Sequence, residues 1–403
     1  MASGAAQTKT FDLSALLSPA RPEDFFRERW ERKPLHVSRN DAQYYADVLT
    51  NDDLETMIST TDMRYPAIQL ARNGSYLAPE VYTRNIKHGS EFFNGVPDIG
   101  QVHSEYRTGA TVVLPALQRT WGPLRKLCTV LEDELSHAVH ANVYLTPGDA
   151  PGFTPHYDTH EVFVLQIAGS KRWRVFAPPL PLPHRTQPFT PVGYVPPAPL
   201  LELELKQGDL LYLPRGYVHS ASTSETYSAH VTIGITVYTW VELLSELIAS
   251  SKDNAALRAA LPPGFANGEA KKSALLEGLG RCMDQLRDSI DGDRLIESFL
   301  HKVKSARVRP EGTFHSDVKV IGLKTRLKTP EPDCYRIAME QRGLILEFEG
   351  RKFVLPGQIR AIIDDMCKKR LFRPGELSGP LDNDAKLSLA RYLHGERFLT
   401  LVD

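Results

Sequence analysis

Between residues 110 and 240 the chain is a succession of short apolar segments, ATVVLPAL, ANVYLTP, HEVFVLQIAG, KRWRVFAP, LELELKQG, DLLYLPRG and SAHVTIGITVYTW, bounded by Gly and Pro. Runs of this length, rich in Val, Ile, Tyr and Phe, predict β-strands. Many short strands in series imply a barrel or a two-sheet sandwich, because a lone sheet would leave an apolar face in water. One helical period interrupts them, WGPLRKLCTVLEDELSHAV. Residues 178–199, PPLPLPHRTQPFTPVGYVPPAP, have the composition of a linker, but strands of similar character lie on both sides. They are expected to form an extended loop inserted in one β domain.

The flanks read differently. Residues 11 to 60 alternate amphipathic helical patterns with polar breaks, and FFRERWERKPLHVSR puts Phe25, Phe26 and Trp30 on one side of a charged helix ended near Pro34. After Trp240 the period turns helical, with VELLSELIASS and then SALLEGLGRCMDQLRDSI, whose stripe of Leu275, Leu279, Cys282, Leu286 and Ile290 needs a partner. A homodimer through residues 241–305 would supply it. From about 311 a hairpin pattern GLILEFEGRKFVL, a helix QIRAIIDDMCKKRL after Pro356, a helix DAKLSLARYLHG ended by Gly395 and a strand ERFLTLV predict a small winged-helix-like unit. The expected domains are therefore 1–240, 241–310 and 311–403.

Bulk properties narrow the function classes. At 403 residues the chain can build more than one core, and its formal net charge of -1 gives little attraction to nucleic acid or anionic membranes. Residues 331–403 hold 12 Lys or Arg against 12 Asp or Glu, without the basic excess that duplex binding requires. The four cysteines are far apart and form no CxxC pair, which argues against a zinc knuckle, a redox motif or a disulfide framework. MASGAAQTKTFDL lacks the basic start and apolar core of a signal peptide, and no segment reaches the roughly 18 apolar residues of a membrane span. A cytoplasmic protein is expected.

The chemistry is concentrated in HYDTHEVFVLQIAGSKRWRVF, residues 156–176. On a strand, residues two apart share a face, so His156 and Asp158 would present an imidazole and a carboxylate together, about 6 to 7 Å apart along the backbone. A third ligand is expected from His219 in GDLLYLPRGYVHSA, where Pro214 and Gly216 make a turn that can aim it inward. Two His and one carboxylate on one side of a metal, with open positions opposite, are associated with non-haem Fe(II) oxygenases. His160 shares the strand parity but would lie roughly 13 Å from His156, so it is assigned to the pocket rim or the core. Asn142, Tyr144 and Thr146 form a polar stripe on one face of their strand, and His230 and Thr232 share a face of theirs. An oxygenase of this kind needs a two-electron co-substrate. Lys171, on the strand following HEVFVLQIAG, can supply the cation that the distal carboxylate of 2-oxoglutarate requires.

The segments ANVYLTP, GFTPHYD and VLQIAGSKRWRVF resemble the signature of the JmjC-domain ribosomal oxygenases, N-x-Y-x-T-P, GF-x-PHYD and VLQ-x-x-G-x-K-x-W-R-x-Y, a cupin-type branch of the 2-oxoglutarate oxygenases that hydroxylate ribosomal proteins. The resemblance implies a double-stranded β-helix (JmjC or cupin) barrel followed by a helical dimerisation segment and a winged-helix-like domain. It implies Fe(II) held by His156, Asp158 and His219, 2-oxoglutarate held by Lys171, Asn142, Tyr144 and Thr232, and O2 as second co-substrate. It also implies hydroxylation of a His or Arg side chain of a ribosomal protein. The chain departs from the pattern in reading HYDTHEVF where relatives often read HYDDIEAF, and in a shorter segment between His219 and His230. Rival readings are a tailoring hydroxylase of a peptide or natural product, a histone demethylase, and a metal-binding cupin that acts only as an interaction protein. Lys171 counts against the last, since a purely structural metal has no use for a cation beyond it.

Overall fold

Asp12 caps the first helix, α1 (Leu13–Leu17), by accepting from the Ala15 amide at 2.8 Å, and Pro22 opens α2 (Pro22–Glu28) at a position where a missing N–H costs nothing. The structure, a computed structural model, describes residues 11–60, 63–267, 269–289, 291–307, 321–341, 343–349 and 351–402. Helix α2 ends at Glu28, so Trp30 lies beyond the helix on which the sequence pattern placed it. The amides of Arg29 and Trp30 both bond the Phe25 carbonyl, at 2.8 and 2.9 Å, and close the last turn. The aromatic cluster survives, with Phe25 5.5 Å from Phe26 and 6.0 Å from Trp30.

The chain divides into two compact units, Met1–Val237 and Tyr238–Asp403. In the first, strands β1 (Leu35–Val37), β2 (Gln69–Arg72), β3 (Ser75–Tyr76), β4 (Thr83–His88), β5 (Glu91–Pro97), β6 (Thr111–Leu114), β7 (Ala138–Thr146), β8 (Glu161–Phe176), β9 (Leu201–Lys206), β10 (Leu210–Leu213), β11 (Val218–Ser222) and β12 (Ser228–Thr236) follow one another, with helices α3 (Asn51–Thr60), α4 (Ile99–Arg107) and α5 (Gly122–Leu135) among them. The larger sheet runs β1-β10-β8-β12-β7-β6-β2-β3, and β9 and β11 pair with the far half of β8. This is a double-stranded β-helix of the cupin kind. Residues 178–199 join β8 to β9, its antiparallel neighbour, as an extended loop.

One strand corrects the sequence reading. HEVFVLQIAG and KRWRVFAP are not two strands but the two halves of β8, which passes from one sheet to the other. Gly169 sits at φ 62°, and a Cβ there would fall 1.8 Å from the Tyr227 carbonyl oxygen. The partner strand shifts register between Ala229 and His230. Glycine therefore bends the strand instead of ending it, and the hydrogen-bond ladder continues on both sides. Lys171 consequently belongs to the same strand as the VFVLQ run.

Residues 161–168 are all buried because both faces of β8 are covered. Phe163, Leu165 and Ile167 pack in the cluster that contains Leu124, Leu127 and Leu131 of α5. Val162 and Val164 join Trp173, Val175, Leu205 and Leu211 in a second core. A strand covered on both faces reads as a continuous apolar run, and alternation is lost.

Glu161 breaks that run as a fully buried carboxylate. It accepts from Arg215 Nη1 at 2.7 Å and from the Tyr212 hydroxyl, and Arg215 also bonds Glu31 at 2.5 Å, tying the N-terminal helices to the barrel. Arg215→Leu would leave Glu161 buried without its cation, at an expected cost of about 3–5 kcal/mol in urea unfolding. Glu161→Leu with Arg215→Leu should recover most of that loss, since both buried charges are then gone.

The second unit holds helices α6 (Trp240–Ser250), α7 (Glu269–Ser289) and α8 (Gly292–Ser305), then β13 (Leu327–Lys328), β14 (Tyr335–Glu340), β15 (Gly343–Phe348), β16 (Arg351–Leu355), α9 (Arg360–Lys369), β17 (Leu371–Phe372), α10 (Asn383–Gly395) and β18 (Thr400–Leu401). The expected hairpin is β15 and β16, but β14 pairs with β15 to make the sheet three-stranded. YRIAME has no fully buried residue and carries Arg336, Ala338 and Glu340, so its pattern gave no strand signal. Along α7, Leu275, Cys282 and Leu286 are half-buried and Leu279 is exposed, while Ile290 lies outside the described residues. Among the described residues no helix is long and apolar enough to cross a membrane.

Candidate metal and co-substrate site

The stretch carrying His156 and Asp158 is not a strand, so strand alternation does not explain their convergence. Residues 152–160 run irregularly ahead of β8, and His156 forms a lone antiparallel bridge with His219 on β11. The His156 amide donates to the His219 carbonyl at 3.1 Å, and the His219 amide donates back to the His156 carbonyl at 2.8 Å. The Gly216 amide donates to the Asp158 carbonyl at 3.1 Å. Main-chain bonds thus clip the His-Tyr-Asp turn to the turn that precedes His219. Ligand-type atoms of His156, Asp158 and His219 all lie within 4.8 Å of one another.

The tautomers follow from the same contacts. His156 Nδ1 lies 2.7 Å from the Thr154 carbonyl and His219 Nδ1 lies 3.1 Å from the Tyr217 carbonyl. A carbonyl can only accept, so each Nδ1 carries a proton and Nε2 is the nitrogen left to face a metal. His219 Nε2 is 3.6 Å from Asp158 Oδ2. Burial, then the adjacent His156 ring, pushes His219 down to about 4, leaving it neutral near pH 7. Burial works to raise the Asp158 carboxyl, but the rings of His160, His219, His156 and His140 outweigh it and hold Asp158 below the usual carboxylate value. Two imidazole Nε2 atoms and one ionised carboxylate are a donor set suited to a first-row divalent ion, Fe(II) among them.

Lys171 is 3% exposed, and its Nζ donates to Thr146 Oγ1 at 3.0 Å, which in turn lies 3.1 Å from Thr111 Oγ1. Among the described residues no carboxylate pairs with it, and burial pushes it down to about 7. An ammonium so placed is costly unless an anion joins it.

The stripe on β7 turns inward toward these groups. Tyr144 stacks on His230 at 5.0 Å, and burial raises its phenol well above the usual value. Asn142 Oδ1 accepts from the Ala116 amide at 2.9 Å, which fixes the side chain against the turn after β6. Thr232 pairs with Asn142 across the β12–β7 ladder, and its hydroxyl reaches the Asn142 carbonyl at 3.5 Å.

Beside this stripe lie His230, already placed on one face with Thr232, and Trp173, which was not anticipated. His230 Nδ1 and Trp173 Nε1 are buried without a hydrogen-bond partner, and the two rings meet edge-on at 5.7 Å. Burial, then the Lys171 charge, holds His230 far below the usual imidazole value. Strand parity could have found Trp173, which is two residues from Lys171, as it placed His230 with Thr232. His160 stays outside the group of three and packs edge-on against His140 at 5.0 Å.

Residues 118–243 match the JmjC domain family. The chain is 30% identical over 310 residues to ribosomal oxygenase 1 of Gallus gallus, covering 71% of this chain and 50% of that protein. It is 32% identical over 301 residues to ribosomal oxygenase 2 of Bos taurus, covering 70% and 61% respectively. The chain belongs to the JmjC ribosomal oxygenase family. It spans half to about three fifths of the length of these two relatives. An X-ray structure of E. coli ycfD has the same fold, with a TM-score of 0.50 and 15% identity over 94% of this chain and 98% of that one. All seven residues to which the family resemblance gives roles, Asn142, Tyr144, His156, Asp158, Lys171, His219 and Thr232, fall inside the JmjC match.

Proposed function

We propose that the protein is an Fe(II)- and 2-oxoglutarate-dependent oxygenase that hydroxylates a His or Arg side chain of a ribosomal protein. One observation carries this reading: a cluster of two His and one ionised Asp shares its β domain with a buried lysine that, among the described residues, pairs only with a hydroxyl. His156 and His219 hold the metal through Nε2, oriented by their Nδ1–H bonds, and Asp158 supplies the negative ligand. Lys171 and Thr146 receive the distal carboxylate of 2-oxoglutarate, and Asn142, Tyr144 and Thr232 orient its chelating end. Fe(II) bound there supplies the chemistry that couples O2 reduction and decarboxylation of 2-oxoglutarate to succinate with hydroxylation of a C–H bond.

The target class follows from the family, and a polypeptide suits the loop of residues 178–199. Its Phe189 packs against Tyr157, next in sequence to His156, at 5.1 Å, while Val192 and Val195 are more than 80% exposed. The test is to incubate tiled ribosomal-protein peptides and intact ribosomal proteins with the enzyme, Fe(II) and 2-oxoglutarate, and to map single-oxygen gains by fragmentation. Modification confined to a small peptide or metabolite would favour a tailoring hydroxylase, and release of formaldehyde a demethylase.

The domain reading of 1–240, 241–310 and 311–403 stands with this proposal, as does a cytoplasmic location, where ribosomal proteins are made. Exposed Trp240, Leu244 and Ile248 on α6 and Leu276, Leu279 and Met283 on α7 support a homodimer through residues 241–305. Light scattering at micromolar concentration should give twice the chain mass, and Leu244→Glu with Leu279→Glu should halve it. The C-terminal unit, winged-helix-like in this reading and balanced in charge over residues 331–403, then serves packing or protein contact rather than duplex binding.

A further inference from the structure

His140, His160 and Gly234 are used by nothing described so far. Gly234 on β12 pairs with His140 on β7 and with Val162 on β8. A Cβ at Gly234 would fall 2.3 Å from His140 Nε2 and 2.8 Å from His160 Cδ2, so any other residue there would force these rings out of their present positions. The two imidazoles lie edge-on, 5.0 Å apart, and both act on the carboxyl of Asp158. Among the described residues neither ring has a hydrogen-bond partner, although both are half-buried.

Their position separates them from the co-substrate. His140, Asn142, Tyr144 and Thr146 alternate along one face of β7, and Thr146 holds Lys171. Six residues of strand put His140 about 20 Å along the backbone from Thr146, at the opposite end of the stripe from the distal-carboxylate anchor. Asp158 therefore has Lys171 toward one end of the β7 stripe and the His140–His160 pair toward the other. A co-substrate anchored on Lys171 leaves this second pair for something else.

Resting on the oxygenase reading above, we propose that His140 and His160, admitted by Gly234, form the contact site for the target side chain and select a planar nitrogen-bearing group, an imidazole or guanidinium, over an aliphatic one. An imidazole can offer both an N–H and a lone pair, so a target N–H finds an acceptor and a ring or guanidinium plane finds an aromatic edge. An aliphatic target would cover those nitrogens and leave them unpaired, which disfavours it. Both histidines are specificity-determining residues in this account, and Gly234 is a positioning residue that gives them room.

The test is selection of a random-sequence peptide library on the protein loaded with Mn(II) and N-oxalylglycine, which fill the metal and co-substrate positions without turnover. Peptides enriched by the unaltered protein should share a His or Arg. Gly234→Ala and the separate changes His140→Phe and His160→Phe should lower that enrichment at least tenfold. His140→Gln, which keeps a hydrogen-bonding group, should restore part of it, a rescue that a purely structural role would not show. Circular dichroism identifies any variant that fails to fold, and the remaining folded variants carry the comparison. Enrichment of aliphatic anchors, no enrichment, or an unchanged preference in the folded variants would overturn the proposal. Succinate formation is assayed in parallel: selection of His or Arg peptides without iron-dependent succinate would reject the oxygenase reading while supporting this site.

Discussion

His156→Ala and Asp158→Ala, made separately, are each expected to reduce Fe(II)-dependent conversion of 2-oxoglutarate to succinate to the background of a metal-free control. Each removes one of three donors that lie within 4.8 Å of one another, and two remaining groups leave a metal held far more weakly. The effect should also be visible without turnover. Titration with Co(II) at neutral pH, followed by its absorption bands, should show tight binding by the unaltered protein and a loss of at least about a hundredfold in either variant, since disturbing even an outer partner of a metal ligand costs 10–100-fold. Because His219 is already neutral near pH 7, binding need not displace a proton from that ring. Undiminished succinate formation and Co(II) binding in both variants would place the metal elsewhere.

Lys171→Ala should weaken 2-oxoglutarate binding by about 2 kcal/mol or more, roughly thirtyfold in apparent affinity, because the distal carboxylate loses a buried, charge-assisted partner. Co(II) binding should be spared, since Lys171 is not among the donor atoms. The pH dependence gives an independent check. Burial pushes Lys171 down to about 7 in the free protein, so above that pH the amine is increasingly neutral. Binding a carboxylate favours the ammonium form, so it raises this pKa and draws a proton from solvent. Affinity for 2-oxoglutarate is therefore expected to be steady below about pH 7 and to fall by up to about tenfold per pH unit above it. Lys171→Arg, whose guanidinium stays charged, should remove that slope. An unchanged affinity in Lys171→Ala would move the co-substrate pocket away from β8.

Much of this could be read locally. The strand runs between 110 and 240 showed themselves because Val, Ile and aromatic residues gather between Gly and Pro, and the structure keeps them in β6 to β10 and β12, while β11, the short VHSAS, gave no such run. Where the reading slipped, a local rule met a tertiary exception. Gly169 has the signature of a strand end, yet Ser228 and Ala229 of β12 pair with Gly169 and Ala168 on one side while β9 takes up residues 170–175 on the other, so the strand bends and continues. His156 and Asp158 were paired by strand parity, yet they sit in a turn and converge through main-chain bonds to His219 and Gly216.

The sequence by itself determined the inventory: two His and an Asp able to bind metal, one Lys in an apolar run, a polar stripe at Asn142, Tyr144 and Thr146, and enough strands to close around them. These depend on residue type and short spacing, which a one-dimensional pattern carries. Tertiary structure alone decided which nitrogen of each histidine is free, since that depends on the Thr154 and Tyr217 carbonyls finding Nδ1. It also decided that Lys171 reaches Thr146, and that the missing side chain of Gly234 makes room for His140 and His160. Each of these rests on contacts set by the folded backbone, several of them on the register between strands distant in sequence, and no local pattern specifies those.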